Sequence, residues 1–201
     1  MAEQTTVAIP KDYTPRLKAL YRQVVVEEVK KRHNLKNPLQ VPRLQKIVVN
    51  MGVGQGKEDV KYFDRIKEDL ALITGQAPDV RRAKKSIAGF KIRQGNPIGA
   101  RVTLRGNRMW EFLDRLTSVA LARIRDFRGL REDAFDEHGN YNLGLKEHHI
   151  FPEVDLEQSP RAHGMNITIA TTGRDKPLNQ TTLELLGLPF RKTTANKKGG
   201  N

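Results

Sequence analysis

The chain has 201 residues, of which 37% are hydrophobic and 29% are charged, and its formal net charge is +13. It contains no cysteine, which excludes disulfides and thiolate zinc sites. The length is enough for one sizeable domain, and the positive charge favours nucleic acid or an acidic membrane surface as the partner.

The first predicted element is a helix that follows a flexible arm over residues 1–13. Thr14 and Pro15 are typical of a helix start, with a hydroxyl at the N-cap and a proline at the first helical position. An apolar stripe with three- and four-residue spacing continues towards Asn34. Basic residues just before Asn34 suit a helix C-terminus.

The rest of the chain alternates between strand and helix patterns. In chain order, the predicted elements are a strand over 43–51, a helix over 57–74, a strand over 98–105, a helix capped by Asn107, a short strand near 141–145, a strand over 167–171, and a short helix over 181–186, with an alternative start near Lys176. This order predicts an α+β fold, with a single domain over residues 14–190, a largely antiparallel sheet and helices packed on one face. The basic tail over 191–201 is predicted to be disordered.

Residues 80–110 carry the most unusual charge pattern, with nine lysines and arginines and no acidic residue. A folded domain normally intersperses its charges, because a block of one sign repels itself. Turn-forming residues predict a protruding, mobile basic loop over residues 84–99. The alternative is a solvated charged face. We interpret the loop as an RNA contact, because lysines and arginines that meet phosphates release counterions.

The strand after this loop predicts a second contact with RNA. Arg101, Thr103 and Arg105 occupy one side of the strand, opposite an apolar side. This arrangement predicts an open, polar sheet surface for nucleic acid. Asn50 on the first strand and Gln76 after the second helix offer amide groups there, and such groups hydrogen-bond base edges and 2′-hydroxyls.

Two enzyme-like patterns are weak. The glycine turn over 52–56 lies between a strand and a helix, but Lys57 stands where a dinucleotide site needs glycine, and Glu58 follows the lysine where a phosphate loop needs Ser or Thr. A tight turn is therefore favoured over a nucleotide-dependent enzyme. His148 and His149 are adjacent and do not converge on a metal by themselves, so we expect exposed or capping histidines.

Three further alternatives concern partners. The segment over 123–128, with three arginines, permits either another RNA contact or a self-paired surface segment. A nucleic-acid chaperone held by charge alone also fits the composition. Membrane association is disfavoured: glycines and a proline interrupt the basic stretch, no apolar run approaches the ~18 residues of a spanning helix, and no secretory signal is expected at the N-terminus.

Six segments, taken in order along the chain, carry a family resemblance. They are KIVVNMGVG (46–54), LITGQAP (72–78), RAKKSIAGFKIRQGNPIGARVTLRG (82–106), RDFRGL (125–130), GNYNLGLKEHHIFPE (139–153) and LLGLPF (185–190). Together they resemble the bacterial large-subunit ribosomal protein number five family. The resemblance runs from about residue 14 to residue 190 and does not include the basic extension that follows.

The resemblance implies a non-enzymatic structural protein of the cytoplasmic ribosome, with no cofactor and no metal. The implied partners are 5S rRNA in the central protuberance, the large-subunit rRNA, the P-site tRNA, neighbouring 5S-associated ribosomal proteins and a small-subunit head protein at an intersubunit bridge. The residues expected to contact 5S rRNA are Asn50, Met51, Gln76, Arg101, Thr103 and Arg105. Those expected to face tRNA and the small subunit are Lys84, Lys85, Ser86, Lys91, Arg93, Gln94 and Asn96.

Overall fold

A computed structural model of the chain describes residues 13–54, 60–159 and 161–191. The helices are α1 (Arg16–Leu20), α2 (Val26–Arg32), α3 (Val60–Thr74), α4 (Gly106–Arg115) and α5 (Lys176–Leu185). The strands are β1 (Leu44–Gly52), β2 (Asp79–Arg82), β3 (Pro97–Leu104), β4 (Tyr141–Leu145) and β5 (Met165–Thr171). Single π-helical turns join α1 to α2 (Tyr21–Val25) and extend α4 (Leu116–Ala120).

The five strands form one antiparallel sheet in the order β2-β3-β1-β5-β4. Along the central strand β1, Ile47, Val49 and Met51 are buried. Val48 and Asn50, between them, are half-exposed. Because successive strand residues project from opposite sides, the sheet has one apolar face and one open face.

The apolar face and the helices share one core. Phe63, Ile66 and Leu70 of α3 belong to the same buried cluster as Ile47 of β1 and Leu104 of β3. Trp110 and Phe112 of α4 belong to that cluster as well. The predicted α+β domain, with an antiparallel sheet and helices on one face, is confirmed.

Two predicted helix starts are wrong by one or two residues. The first helix begins at Arg16, with Pro15 rather than Thr14 at the N-cap. The helix α4 begins at Gly106, so Asn107 lies inside it and does not cap it. The Asn107 amide is engaged elsewhere, because its oxygen accepts a hydrogen bond from Lys18 Nζ at 2.9 Å.

The folded chain extends slightly beyond the predicted domain at both ends. Tyr13, assigned to the flexible arm, donates its hydroxyl hydrogen to Glu111 on α4. Arg191, assigned to the tail, donates its backbone N–H to Leu130 O at 2.8 Å. The remaining residues of the predicted arm and tail lie outside the described residues.

A buried polar cluster joins α3 to the irregular segment between β4 and β5. Asp69 and His148 are each 1% exposed and Ser159 is 6% exposed. Ser159 donates its hydroxyl hydrogen to Asp69 Oδ2, and His148 Nε2 lies 3.4 Å from the same oxygen. Arg65 Nε lies 3.4 Å from the other carboxylate oxygen. The expectation of an exposed or capping histidine is wrong for His148, because this cluster gives it buried partners.

The cluster also determines how the Asp69 carboxylate responds to pH. Burial raises the pKa of Asp69, but the contacts with His148, Ser159 and Arg65 together outweigh burial and hold the pKa below its ordinary value of 3.8. A lowered folded-state pKa means that the carboxylate stabilises the fold fully above pH 3.8. That stabilisation is lost as the pH falls through the lowered value.

Replacing Asp69 with asparagine should reduce the free energy of unfolding by about 2–3 kcal/mol near neutral pH, because a charged partner is removed from a buried cluster. Urea denaturation measures this difference. The difference from wild type should shrink as the pH falls below 3.8, because the carboxylate becomes protonated in the unfolded chain before it does so in the folded protein.

The matched control is Asp64→Asn, since Asp64 lies on the same helix, is exposed and pairs with Lys67. This substitution should change the free energy of unfolding by no more than ~0.5 kcal/mol. An Asp69→Asn variant as stable as the control variant would contradict a stabilising role for the cluster.

Candidate nucleic-acid interface

The open face of the sheet carries two rows of side chains that cross the strands. In antiparallel pairs, directly opposed residues project from the same face. The first row is Asp79, Arg101, Asn50, Asn166 and Gly144. The second row is Thr103, Val48, Thr168 and Asn142. Every residue in both rows is at least partly exposed, so both rows are accessible from one side of the molecule.

These rows are rich in amides and hydroxyls and carry little net charge. Asp79 forms an ion pair of 2.6 Å with Arg81. Arg101 has no carboxylate within ion-pair distance among the residues that the structure describes. Thr168 Oγ1 donates to Asn142 Oδ1 at 2.8 Å, which leaves the Asn142 amide hydrogens available as donors. The face therefore suits hydrogen bonding to bases and 2′-hydroxyls more than attraction to phosphates alone.

The structure brings together most of the residues predicted to contact 5S rRNA. Asn50, Arg101 and Thr103 lie in the two rows. Gln76 is half-buried beside β3, where its amide nitrogen donates to Thr103 O at 3.4 Å. Arg105 is exposed just after β3, with an extended backbone at φ −140° and ψ 166°.

Met51 does not belong to this face. It is 0% exposed and lies opposite Ala100 on the apolar side. Its prediction as a contact is wrong for the side chain, because the alternation that exposes Asn50 directs the next residue into the core.

Three polar residues of the open face were missed by the sequence analysis: Asn142, Thr168 and Asn166. The signal that identifies them is the alternation of polar or small residues with buried apolar residues in YNLGL (141–145) and MNITIAT (165–171). Alternation alone does not say that these residues share a face with Asn50. That requires the strand order.

Residues 83–96 form a hairpin between β2 and β3, here called the basic hairpin. Near its base, Ala83 N–H donates to Asn96 O at 2.9 Å. Near its tip, Ile87 and Ile92 exchange two backbone hydrogen bonds of 2.9 and 3.1 Å. The predicted loop over 84–99 is thus too long, because its last three residues pair within the sheet as part of β3.

The basic hairpin exposes most of the residues predicted for it. The exposed ones are Lys84, Lys85, Ser86, Lys91, Arg93 and Gln94, and Asn96 is half-buried. Ser86 Oγ accepts a hydrogen bond from Gln94 N–H at 2.9 Å, so this pair is part of the hairpin framework. None of the four cations has a carboxylate within ion-pair distance in the described part of the chain. The tip also exposes two apolar residues, Ile87 (48%) and Phe90 (66%).

The sequence also raised the alternatives of a metal site, a membrane contact, a nucleotide site at the glycine turn and a contact over 123–128. Within residues 13–54, 60–159 and 161–191, no three His, Cys, Asp or Glu residues come together as metal ligands, and no helix has the length and apolar character to cross a bilayer. The end of the glycine turn over 52–56 lies outside the described residues. The arginines of 123–128 form no ion pair with a described carboxylate.

Two family descriptions match the chain in succession. The description "Ribosomal protein L5" matches residues 37–93, and the description of the C-terminus of the same ribosomal protein family matches residues 97–190. Both matches lie within the region of the resemblance noted in the sequence.

Bacterial relatives match over almost their whole length. The large ribosomal subunit protein uL5 of Rubrobacter xylanophilus is 57% identical over 176 residues, which are 88% of this chain and 98% of the relative. The proteins of the same name from Corynebacterium diphtheriae and Salinispora tropica are 53% and 52% identical, over 92% and 93% of this chain and 98% and 99% of the relatives. The chain therefore belongs to the ribosomal protein L5 family, whose members are structural, non-enzymatic proteins of the large ribosomal subunit.

Proposed function

We propose that this protein of the cytoplasmic large ribosomal subunit binds 5S rRNA through the open face of its sheet. The observation that carries the proposal is the pair of polar rows across β3, β1, β5 and β4. With strands ~4.8 Å apart, four strands extend over about 15 Å. A surface of this width suits the wide, shallow minor groove of RNA or a loop with unstacked bases.

The chemistry of the open face favours specific recognition over attraction by charge. Asn50, Asn166 and Asn142 offer both donors and acceptors, while Arg101 is the cation between them and the β2 edge. Amides that hydrogen-bond base edges or 2′-hydroxyls distinguish one folded RNA from another. Cations alone would bind any RNA.

We assign a different contact to the basic hairpin, which is proposed to approach the P-site tRNA and the intersubunit side. Its exposed cations, without described carboxylate partners, suit phosphates. Family membership supports the remaining proposed partners, which are the large-subunit rRNA, neighbouring 5S-associated ribosomal proteins and a small-subunit head protein.

The substitutions Asn50→Ala and Thr103→Ala should each weaken 5S rRNA binding about 5- to 10-fold, because each removes a hydrogen-bonding group worth roughly 1 kcal/mol. Filter binding at several salt concentrations measures the affinity. The salt dependence should stay unchanged in these variants, since no phosphate contact is lost.

The control for this experiment is Gln23→Ala, which removes an exposed amide from the π-helical turn after α1. An unrelated RNA of equal length tests binding by charge alone. If both sheet variants bind 5S rRNA as tightly as the control variant, the assignment of the open face fails.

The triple substitution Lys84→Ala, Lys85→Ala, Arg93→Ala should leave 5S rRNA affinity within about twofold of wild type, because the hairpin is assigned to another RNA. The same variant should weaken tRNA binding or subunit joining in reconstituted ribosomes. The binding that remains should depend less on salt concentration than that of wild type, because fewer cations meet phosphates.

A matched control removes three exposed cations from the π-helical turn after α1, from α2 and from the segment after α2: Arg22→Ala, Lys31→Ala, Lys36→Ala. It has the same change in net charge. The hairpin variant should lose no more 5S affinity than this control. A larger loss would rule out the assignment of 5S rRNA to the open face and of another RNA to the basic hairpin.

A further inference from the structure

A cavity of about 450 Å³ lies beside β4, at the edge of the sheet. All five residues of β4 line it, and so do Lys146 and Glu147. Successive strand residues project from opposite faces. A cavity lined by every residue of a strand therefore runs along the edge of that strand, and we call it the edge groove.

The backbone of β4 is available along this groove. The strand is last in the sheet order, and an isolated bridge to Phe135 covers its start at Tyr141. From Asn142 to Leu145, no other described segment forms a backbone hydrogen bond with its outer edge. Such an edge presents unpaired N–H and C=O groups that pair readily with an added strand.

The walls of the edge groove combine apolar side chains with four cationic ones and a single carboxylate, Glu147. Ile124 and Phe127 are half-buried and pack against the core while they line the groove. Arg123, Arg125 and Lys146 are exposed around it. In the part of the chain that the structure describes, none of these three cations has a carboxylate within ion-pair distance.

We propose that the edge groove binds an extended, acidic peptide segment of a partner protein, which adds to the sheet as a sixth strand beside β4. The backbone of the segment pairs with the free edge. Side chains that alternate along it meet the apolar wall on one side and the cations on the other. This inference is independent of the RNA contacts proposed for the open face and the basic hairpin.

Other occupants fit the groove less well. Arg191, the last described residue, lies near the groove, since Arg191 N–H donates to Leu130 O, and Leu130 lines the groove. The ten residues after Arg191 contain three lysines and no acidic residue. They carry charge of the same sign as the groove, which would repel them. A nucleic acid would meet the cations but would leave the strand edge and the apolar wall without complementary groups.

The test uses the full-length protein and a fluorescein-labelled hexapeptide that alternates glutamate and valine, measured by fluorescence anisotropy. The double substitution Arg123→Glu, Arg125→Glu should weaken binding at least tenfold. The control Arg128→Glu, an exposed arginine of the same segment that does not line the groove, should stay within twofold of wild type. A peptide of the same sequence with N-methylated backbone amides should also bind at least tenfold more weakly.

Four results would overturn the proposal: no binding of the alternating peptide, equal losses in the double variant and the control, equal binding of the N-methylated peptide, or displacement of the peptide by an oligouridylate at comparable concentration. The last result would identify a nucleic-acid site instead. A tenfold gain in peptide affinity on deletion of residues 192–201 would identify the C-terminal segment as the occupant and equally overturn the proposal. Each outcome can be read without reference to 5S rRNA affinity.

Discussion

The pairing of β1 with β3 on one side and β5 on the other determines what this protein presents to its surroundings. A shift of one residue in either pairing would move polar side chains into the core and apolar ones to the open face. The close approach of the strands is visible at Gly99, where an added Cβ atom would lie 2.8 Å from Met51 O. Helices that pack on the apolar face hold this register by burying one set of alternating residues.

The same register separates two kinds of binding surface on one strand. Along β3, Arg101 and Thr103 join rows of amides and hydroxyls on a face with little net charge. The residues just before β3 form the basic hairpin, whose exposed cations lack described carboxylate partners. Hydrogen bonds at the first surface discriminate between RNA structures, whereas contacts at the second depend on phosphates and weaken as salt increases. The two surfaces therefore differ in chemistry although they share a structural element.

Much of the fold and part of the interface could be predicted from local sequence patterns. Alternation in the strand after the basic stretch correctly separated Arg101 and Thr103 from their buried neighbours, because period-two alternation is a property of a single strand. Met51, which the family resemblance implied as a contact, was misplaced because it follows Asn50 on the same strand, and the side chains of adjacent strand residues face opposite ways. The contributions of Asn142 and Asn166 depend on strand order, which no single segment encodes. His148 is buried with its Nε2 atom 3.4 Å from Oδ2 of Asp69, which lies on a helix far away in the sequence, and this proximity has no local signal.

The most direct test of the central claim is an NMR titration of the full-length protein with 5S rRNA that follows the side-chain amide signals of asparagine. The account predicts that the signals of Asn50, Asn142 and Asn166 on the open face shift or broaden, while those of Asn34, Asn37 and Asn107 elsewhere on the surface do not. Perturbation confined to the second group, with the open-face signals unchanged, would contradict the assignment of the sheet as the surface that recognises RNA.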